Sequence, residues 1–109
     1  MKETFGEFIH ALRIRHSLTL TKLAAALDID QSTLSKIENN RRSVPECLIP
    51  KIASIFNLNI QSLLKEYYSE KIAEMIYLSD NHREVLDLVE DKIKHIKERK
   101  SIQGNINFK

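Results

Sequence analysis

Two glycines, two prolines, one cysteine and no tryptophan occur in 109 residues. Each scarcity excludes something. So few backbone breakers, set among many Leu, Ile, Lys and Glu, indicate an all-α chain. Two glycines leave little material for a phosphate-cradling loop. The single cysteine, Cys47, excludes an internal disulfide and a cysteine-based zinc site, and it fits a reducing cytoplasm. Its expected role is a small apolar side chain packed near the start of a helix. His10, His16, His82 and His95 show no metal-ligand spacing. No nucleophile–base pair is visible, so neither an enzyme nor a cofactor is expected. The start, MKETFGEF, has no apolar run of the secretory kind, and no stretch approaches the roughly 18 apolar residues of a membrane span.

Strong charge of one sign is also missing. The net charge is +2 and the pI about 8.7. Residues 1–65 carry nine Lys/Arg against six Asp/Glu, a balance of +3, while residues 66–109 carry eight against nine, a balance of −1. The first part is thus the better electrostatic face for nucleic acid.

What is present is helical periodicity. Phe5, Phe8, Ile9 and Leu12 follow i, i+3, i+4, i+7 spacing, which predicts a helix from about Thr4 to His16. Thr19 is placed to cap a second helix, Leu20–Leu27, with Leu23, Ala24 and Leu27 inward. Asp28 and Ile29 form a turn, with Ile29 plugging the core. Asp30 is placed to cap a third helix through the Ser32 or Thr33 N–H, with Leu34 and Ile37 inward. A fourth helix is expected over about Glu46–Phe56, with Pro50 near its first turn, where a missing N–H costs little. Asn59 caps a fifth, running to about Leu78. Asp80 caps a last one, reaching Lys100. Tyr67, Tyr68 and Tyr77 are expected as packing anchors. The remainder, 101–109, holds Gly104 and three amides without periodicity, the pattern of a mobile tail.

Helix three sets Gln31, Ser32, Ser35 and Lys36 opposite Leu34 and Ile37. Gln matches adenine bidentately, Lys donates to guanine, and Ser donates or accepts, so these four are candidate contacts to base edges in a major groove. Thr33 lies between the faces, within reach of a phosphate or a thymine methyl. Arg41 and Arg42, with Asn39, Asn40 and Ser43, form a polar loop suited to the phosphate backbone. Lys22, near the start of helix two, suits a phosphate as well.

Ile9, Arg13, Leu18-Thr19, Leu23-Ala24, Leu27 to Ile29, Ser32 to Glu38, Pro45, Ile52-Ala53 and Leu63-Leu64 together give residues 8–64 a combined spacing of high specificity. In this, the chain resembles the Xre/Cro-type, lambda repressor-like helix-turn-helix transcriptional regulators. The resemblance implies a five-helix DNA-binding domain, usually dimeric, in which Glu38 pairs with Arg13. There are two departures. Leu20 stands where the family often has a DNA-contacting Gln, and Asp28 stands where it usually has Gly; Asp tolerates the left-handed conformation better than most residues. The segment SEKIAEMIY…DNHREVLDLVEDKIKHIK is also similar to the C-terminal part of small regulators that accompany restriction–modification genes.

Domain limits of 1–65 for DNA binding, 66–100 for a C-terminal helical hairpin and 101–109 for the tail follow from these patterns. In the last helix, Val85, Leu86, Val89, Ile93 and Ile96 give a narrow apolar seam. Two readings are open, packing back on its own domain or pairing with a second chain, and the second is favoured because the first five helices have their own core. Lys92, Lys94, Lys97, Arg99 and Lys100 could form a second nucleic-acid patch, but the interleaved Glu90, Asp91 and Glu98 favour their complementing the negative helix end. The expected function is a homodimeric, cytoplasmic, nucleoid-associated regulator of bacterial or phage type, with double-stranded DNA and itself as partners and no small-molecule ligand. Repression at a palindromic operator is favoured. The competing class is a protein-interaction module, an antitoxin or a bridging coactivator; a tail of about nine residues is short for wrapping a toxin.

Overall fold

The computed structural model describes residues 2–107, and the side chains of residues 2–101. Six helices follow one another: α1 (Phe5–Arg15), α2 (Leu20–Leu27), α3 (Gln31–Glu38), α4 (Leu48–Phe56), α5 (Ile60–Ile76) and α6 (His82–Asn107). Among the described residues there is no strand, and no helix is long and apolar enough to cross a membrane.

Side-chain caps start α1, α2, α3 and α5. Thr4 opens α1 with a capping box: its hydroxyl accepts from the Glu7 N–H at 3.1 Å, and the Glu7 carboxylate accepts from the Thr4 N–H at 2.8 Å. Thr19 caps α2 through the Lys22 N–H at 3.1 Å, and Asn59 caps α5 through the Ser62 N–H at 2.9 Å. Helix α4 begins at Leu48, two residues later than the sequence suggests. Pro50 then falls in its first turn, where no backbone partner is lost.

Helix ends show how a glycine-poor chain turns corners. Ser17, Asp28, Asn40 and Asn57 all take positive φ, between 53° and 61°. Each time the following N–H reaches back five residues, Leu18 to Arg13, Ile29 to Ala24, Arg41 to Lys36 and Leu58 to Ala53, at 2.8–3.0 Å. This is the Schellman ending, with Asp, Asn and Ser in glycine's usual place. Asp28 therefore fills the position where the family prefers Gly.

Two compact units result, Met1–Glu74 and Met75–Lys109. The core of the first is Phe5, Ile9 and Leu12 from α1; Leu23, Ala24 and Leu27 from α2; Leu34 and Ile37 from α3; Val44 from the loop; Leu48, Ile49, Ile52, Ala53 and Phe56 from α4; and Leu63 and Tyr67 from α5. Ile29 packs against it half-buried, as expected. The unit extends past the expected limit at residue 65 because Tyr67 belongs to the core. Its ring meets Phe5 edge-on at 5.8 Å, and its hydroxyl donates to the Val44 carbonyl at 2.7 Å. Glu70, one turn further, accepts from the Phe5 N–H at 3.0 Å.

Several expectations need correction. Cys47 is exposed rather than packed, because it precedes α4 and the inward positions there go to Leu48 and Ile49. Tyr77 is 73% exposed and anchors nothing; Tyr68 is 44% exposed and donates to Glu46 at 2.7 Å. Helix α5 stops at Ile76 rather than Leu78. Asp80 is not the cap of α6: it lies in the preceding turn, where the Ser79 hydroxyl accepts from the Asn81 N–H at 3.1 Å. The backbone of α6 continues past Lys100 to Asn107, through most of the expected tail, while residues 108 and 109 lie outside the described residues.

Candidate nucleic-acid interface

Helix α3 is held from both ends and from behind. Asp30 caps its start, its carboxylate accepting from the Thr33 N–H at 2.6 Å. That backbone bond, then the Thr33 hydroxyl, and more weakly the charges of Arg42 and Lys36, hold the Asp30 carboxyl below its ordinary pKa of 3.8. At the far end Asn39 folds its amide back to donate to the Ser35 carbonyl at 2.8 Å. Behind, Leu34 and Ile37 are fully buried.

Glu38, the last residue of α3, is buried and paired. Arg13 grips it with two bonds, from Nε at 2.8 Å and from a terminal nitrogen at 3.0 Å, and donates a third bond to the Leu18 carbonyl at 3.1 Å. The pairing implied by the family resemblance is therefore present. His10 is an added member, its Nδ1 standing 2.7 Å from the Glu38 carboxylate. A planar guanidinium bonded on two edges fixes angle as well as distance. Helix α3 is thus oriented on α1, which also approaches it closely at Gly6: a side chain there would overlap the Ile37 carbonyl.

With its back fixed, α3 shows solvent a defined face. Gln31, Ser32 and Lys36 are exposed and Ser35 is half-buried. These four line one shallow concavity together with Leu20 and Arg41. Leu20 is half-buried against the core and adds an apolar wall where the family often has Gln. Arg41 is distinctive. It follows the left-handed Asn40, and the equivalent residues after α1, α2 and α4 are Leu18, Ile29 and Leu58, each packed on the core. After α3 the same position carries an exposed arginine, tied by its N–H to the Lys36 carbonyl at 2.8 Å. The usual hydrophobic contact of this motif is given up for a cation at the rim of the α3 face.

Other expected contacts divide. Lys22, Arg42 and Ser43 are exposed, and among the described residues none of Lys22, Lys36, Arg41 and Arg42 forms an ion pair, leaving their charges available. Asn39 and Asn40 are engaged internally. Asn40 accepts from the Thr4 hydroxyl at 2.7 Å, and its left-handed backbone ends the helix. Thr33 is half-buried and serves the Asp30 cap. Sequence reasoning missed three contributors. Thr21 donates to Gln31 Oε1 at 2.7 Å, across the turn; His10 joins Glu38; Gly6 admits the Ile37 carbonyl. Each depends on a partner at least ten residues away, which local periodicity does not reveal.

A helix-turn-helix family model matches residues 9–63. The chain belongs to this family. The match agrees with the Xre/lambda repressor-like pattern read from the residues. The chain is 35% identical over 74 residues to the HTH-type transcriptional repressor RghR of Bacillus subtilis (strain 168), covering 66% of this chain and 55% of that protein. It is 34% identical over 61 residues to the uncharacterized HTH-type transcriptional regulator RghRB of the same organism, covering 55% of this chain and 44% of that one. The chain spans about half the length of these curated relatives. No solved structure matches it.

Proposed function

We propose that this helix-turn-helix protein is a sequence-specific regulator of transcription that binds double-stranded DNA as a homodimer and represses at a palindromic operator. The observation that carries the reading is the α3 face. Gln31, Ser32, Ser35 and Lys36 stand together with Arg41 around one concavity on a rigidly held helix, and Lys22 and Arg42 are exposed with no ion pair among the described residues. A helix of this width fits a major groove with its N-terminal residues leading. The four side chains read base edges, while the flanking cations and Ser43 bind phosphates and set the register.

Dimerisation rests on the second unit. In α6, Val85 and Val89 are half-buried, and Leu86, Ile93 and Ile96 are exposed. A dimer of this kind reads two half-sites about one helical turn, roughly 34 Å, apart. Repression is the sign favoured by the name of the relative RghR, a transcriptional repressor.

Selection of duplexes from a random pool by the purified protein, followed by sequencing, tests the whole reading. A motif with two-fold symmetry is the expected result. A pool that stays random after several rounds overturns sequence-specific binding, and an enriched motif without symmetry overturns the dimer.

A further inference from the structure

The bond between Thr21 and Gln31 joins the two helices of the motif on their outer side. Thr21 Oγ1 donates to Gln31 Oε1 at 2.7 Å, and both residues are exposed. Neither side chain contributes to the core, so core packing does not explain the pair. Gln31 is the first residue of α3 and lines the concavity, where a base edge would lie.

We infer that Thr21 is a positioning residue that sets what Gln31 reads, by turning its amide so that the Nε2 donors lead toward the base. The inference rests on the reading of α3 as the base-reading helix. Threonine has one hydroxyl hydrogen, and here it goes to Oε1. One Gln31 lone pair is thereby occupied, and the carbonyl is held toward α2. The two Nε2 hydrogens, for which no described residue is an acceptor, lie on the other side of the amide. A free glutamine side chain has several rotamers to lose on binding; a tethered one has fewer. A donor-leading amide seeks an acceptor, and in the major groove every purine offers N7. Gln31 of this chain is therefore a reader of purine N7, with the remaining Oε1 lone pair available to an adenine amino group.

The full chain, its Thr21→Val, Thr21→Ser and Gln31→Ala variants and the Thr21→Val, Gln31→Ala double variant are titrated on the selected site, on a random duplex, and on the selected site carrying 7-deazapurine at each purine in turn. Thr21→Val keeps the branched shape and removes only the hydroxyl; Thr21→Ser restores it. The parent should show one purine per half-site whose 7-deaza analogue weakens binding about tenfold, the weight of a good base contact. Thr21→Val should lose roughly three- to tenfold on the selected site, the weight of one net hydrogen bond, and most of the 7-deaza penalty. Thr21→Ser should keep both. Thr21→Val should add nothing in the Gln31→Ala background, and no variant should change binding to random DNA. An unchanged 7-deaza penalty in Thr21→Val overturns the inference, as does equal weakening on selected and random duplexes. A parent that shows no 7-deaza penalty at any purine of the selected site overturns the orientation. If the parent enriches no site, the base-reading role of α3 fails first and this inference with it; if the parent selects a site and Thr21→Val behaves as the parent, only the inference fails.

Discussion

Single residues decide how tightly α3 is held. Gly6 is in the first turn of α1, and the Ile37 carbonyl of α3 occupies the space a side chain would need. Backbone cannot retreat as a flexible side chain can. Gly6→Ala should therefore destabilise the fold by about 1–3 kcal/mol, the usual cost of forcing an extra methyl into a packed site, despite alanine's better helix propensity. Denaturant midpoints of the two proteins measure this, and a stabilised variant would contradict the close approach. Asp30 gives a pH signature. The Thr33 N–H lowers its folded-state pKa below the ordinary 3.8 that the unfolded chain retains. A lowered folded pKa means the contribution is present above the unfolded value and is lost as pH falls through the folded one. The stability difference between the parent and Asp30→Asn should be level above about pH 5 and shrink on acidification below it. Urea titrations across that range check this; a difference that grows in acid has the wrong sign.

Among the elements, α2 and α3 were the most legible. Their bounds follow from Thr19 and Asp30, because a capping side chain acts on an N–H two or three residues away and leaves its mark in the local sequence. The start of α4 was less so. Glu46 and Cys47 lie before it in a turn, and Pro50 is compatible with either start. The start of α6 was misplaced for a similar reason, since Ser79, Asp80 and Asn81 are all able to cap and only the fold selects among them. The proposed readers Gln31, Ser32, Ser35 and Lys36 were visible as the face opposite Leu34 and Ile37. Thr21 was not, because its partner comes from the next helix. Nor was the internal use of Asn39 and Asn40, whose amides serve the backbone and Thr4. The loop after α3 yields a prediction at this scale. Arg41 takes the place that Leu18, Ile29 and Leu58 hold after the other helices, so its removal costs no core packing. Arg41→Ala should leave thermal stability unchanged, weaken all duplexes alike, and lower the slope of log affinity against log salt by about one. An unchanged slope in salt titrations removes Arg41 from the phosphate contacts.

At the scale of the molecule, the proposed function assigns a different task to each of the two units. Met1–Glu74 encloses the described core and carries the whole α3 face, so it has what it needs to fold. Met75–Lys109 has little core of its own; Met75 and Leu78 are 80% and 81% exposed, and the α6 seam adds Leu86, Ile93 and Ile96. These exposed apolar side chains are what the proposed dimer would cover. Ending the chain after Leu78 should give a folded monomer by light scattering, with the parent's helical signature per residue over the domain that is kept. A truncated protein that stays dimeric would place the interface elsewhere. Weak net charge agrees with the proposal: a balance of +2 gives little indiscriminate attraction to DNA, so the proposed specificity rests on the shape and chemistry of one face.

The central claim is that the exposed face of α3 reads base pairs. It is tested most directly by comparing Gln31→Ala and Lys36→Ala with the parent on the selected duplex and on random DNA at fixed salt. A loss of roughly 1–3 kcal/mol on the selected duplex, with little change on random DNA, is the predicted result. An equal loss on both duplexes, or none on either, would contradict it.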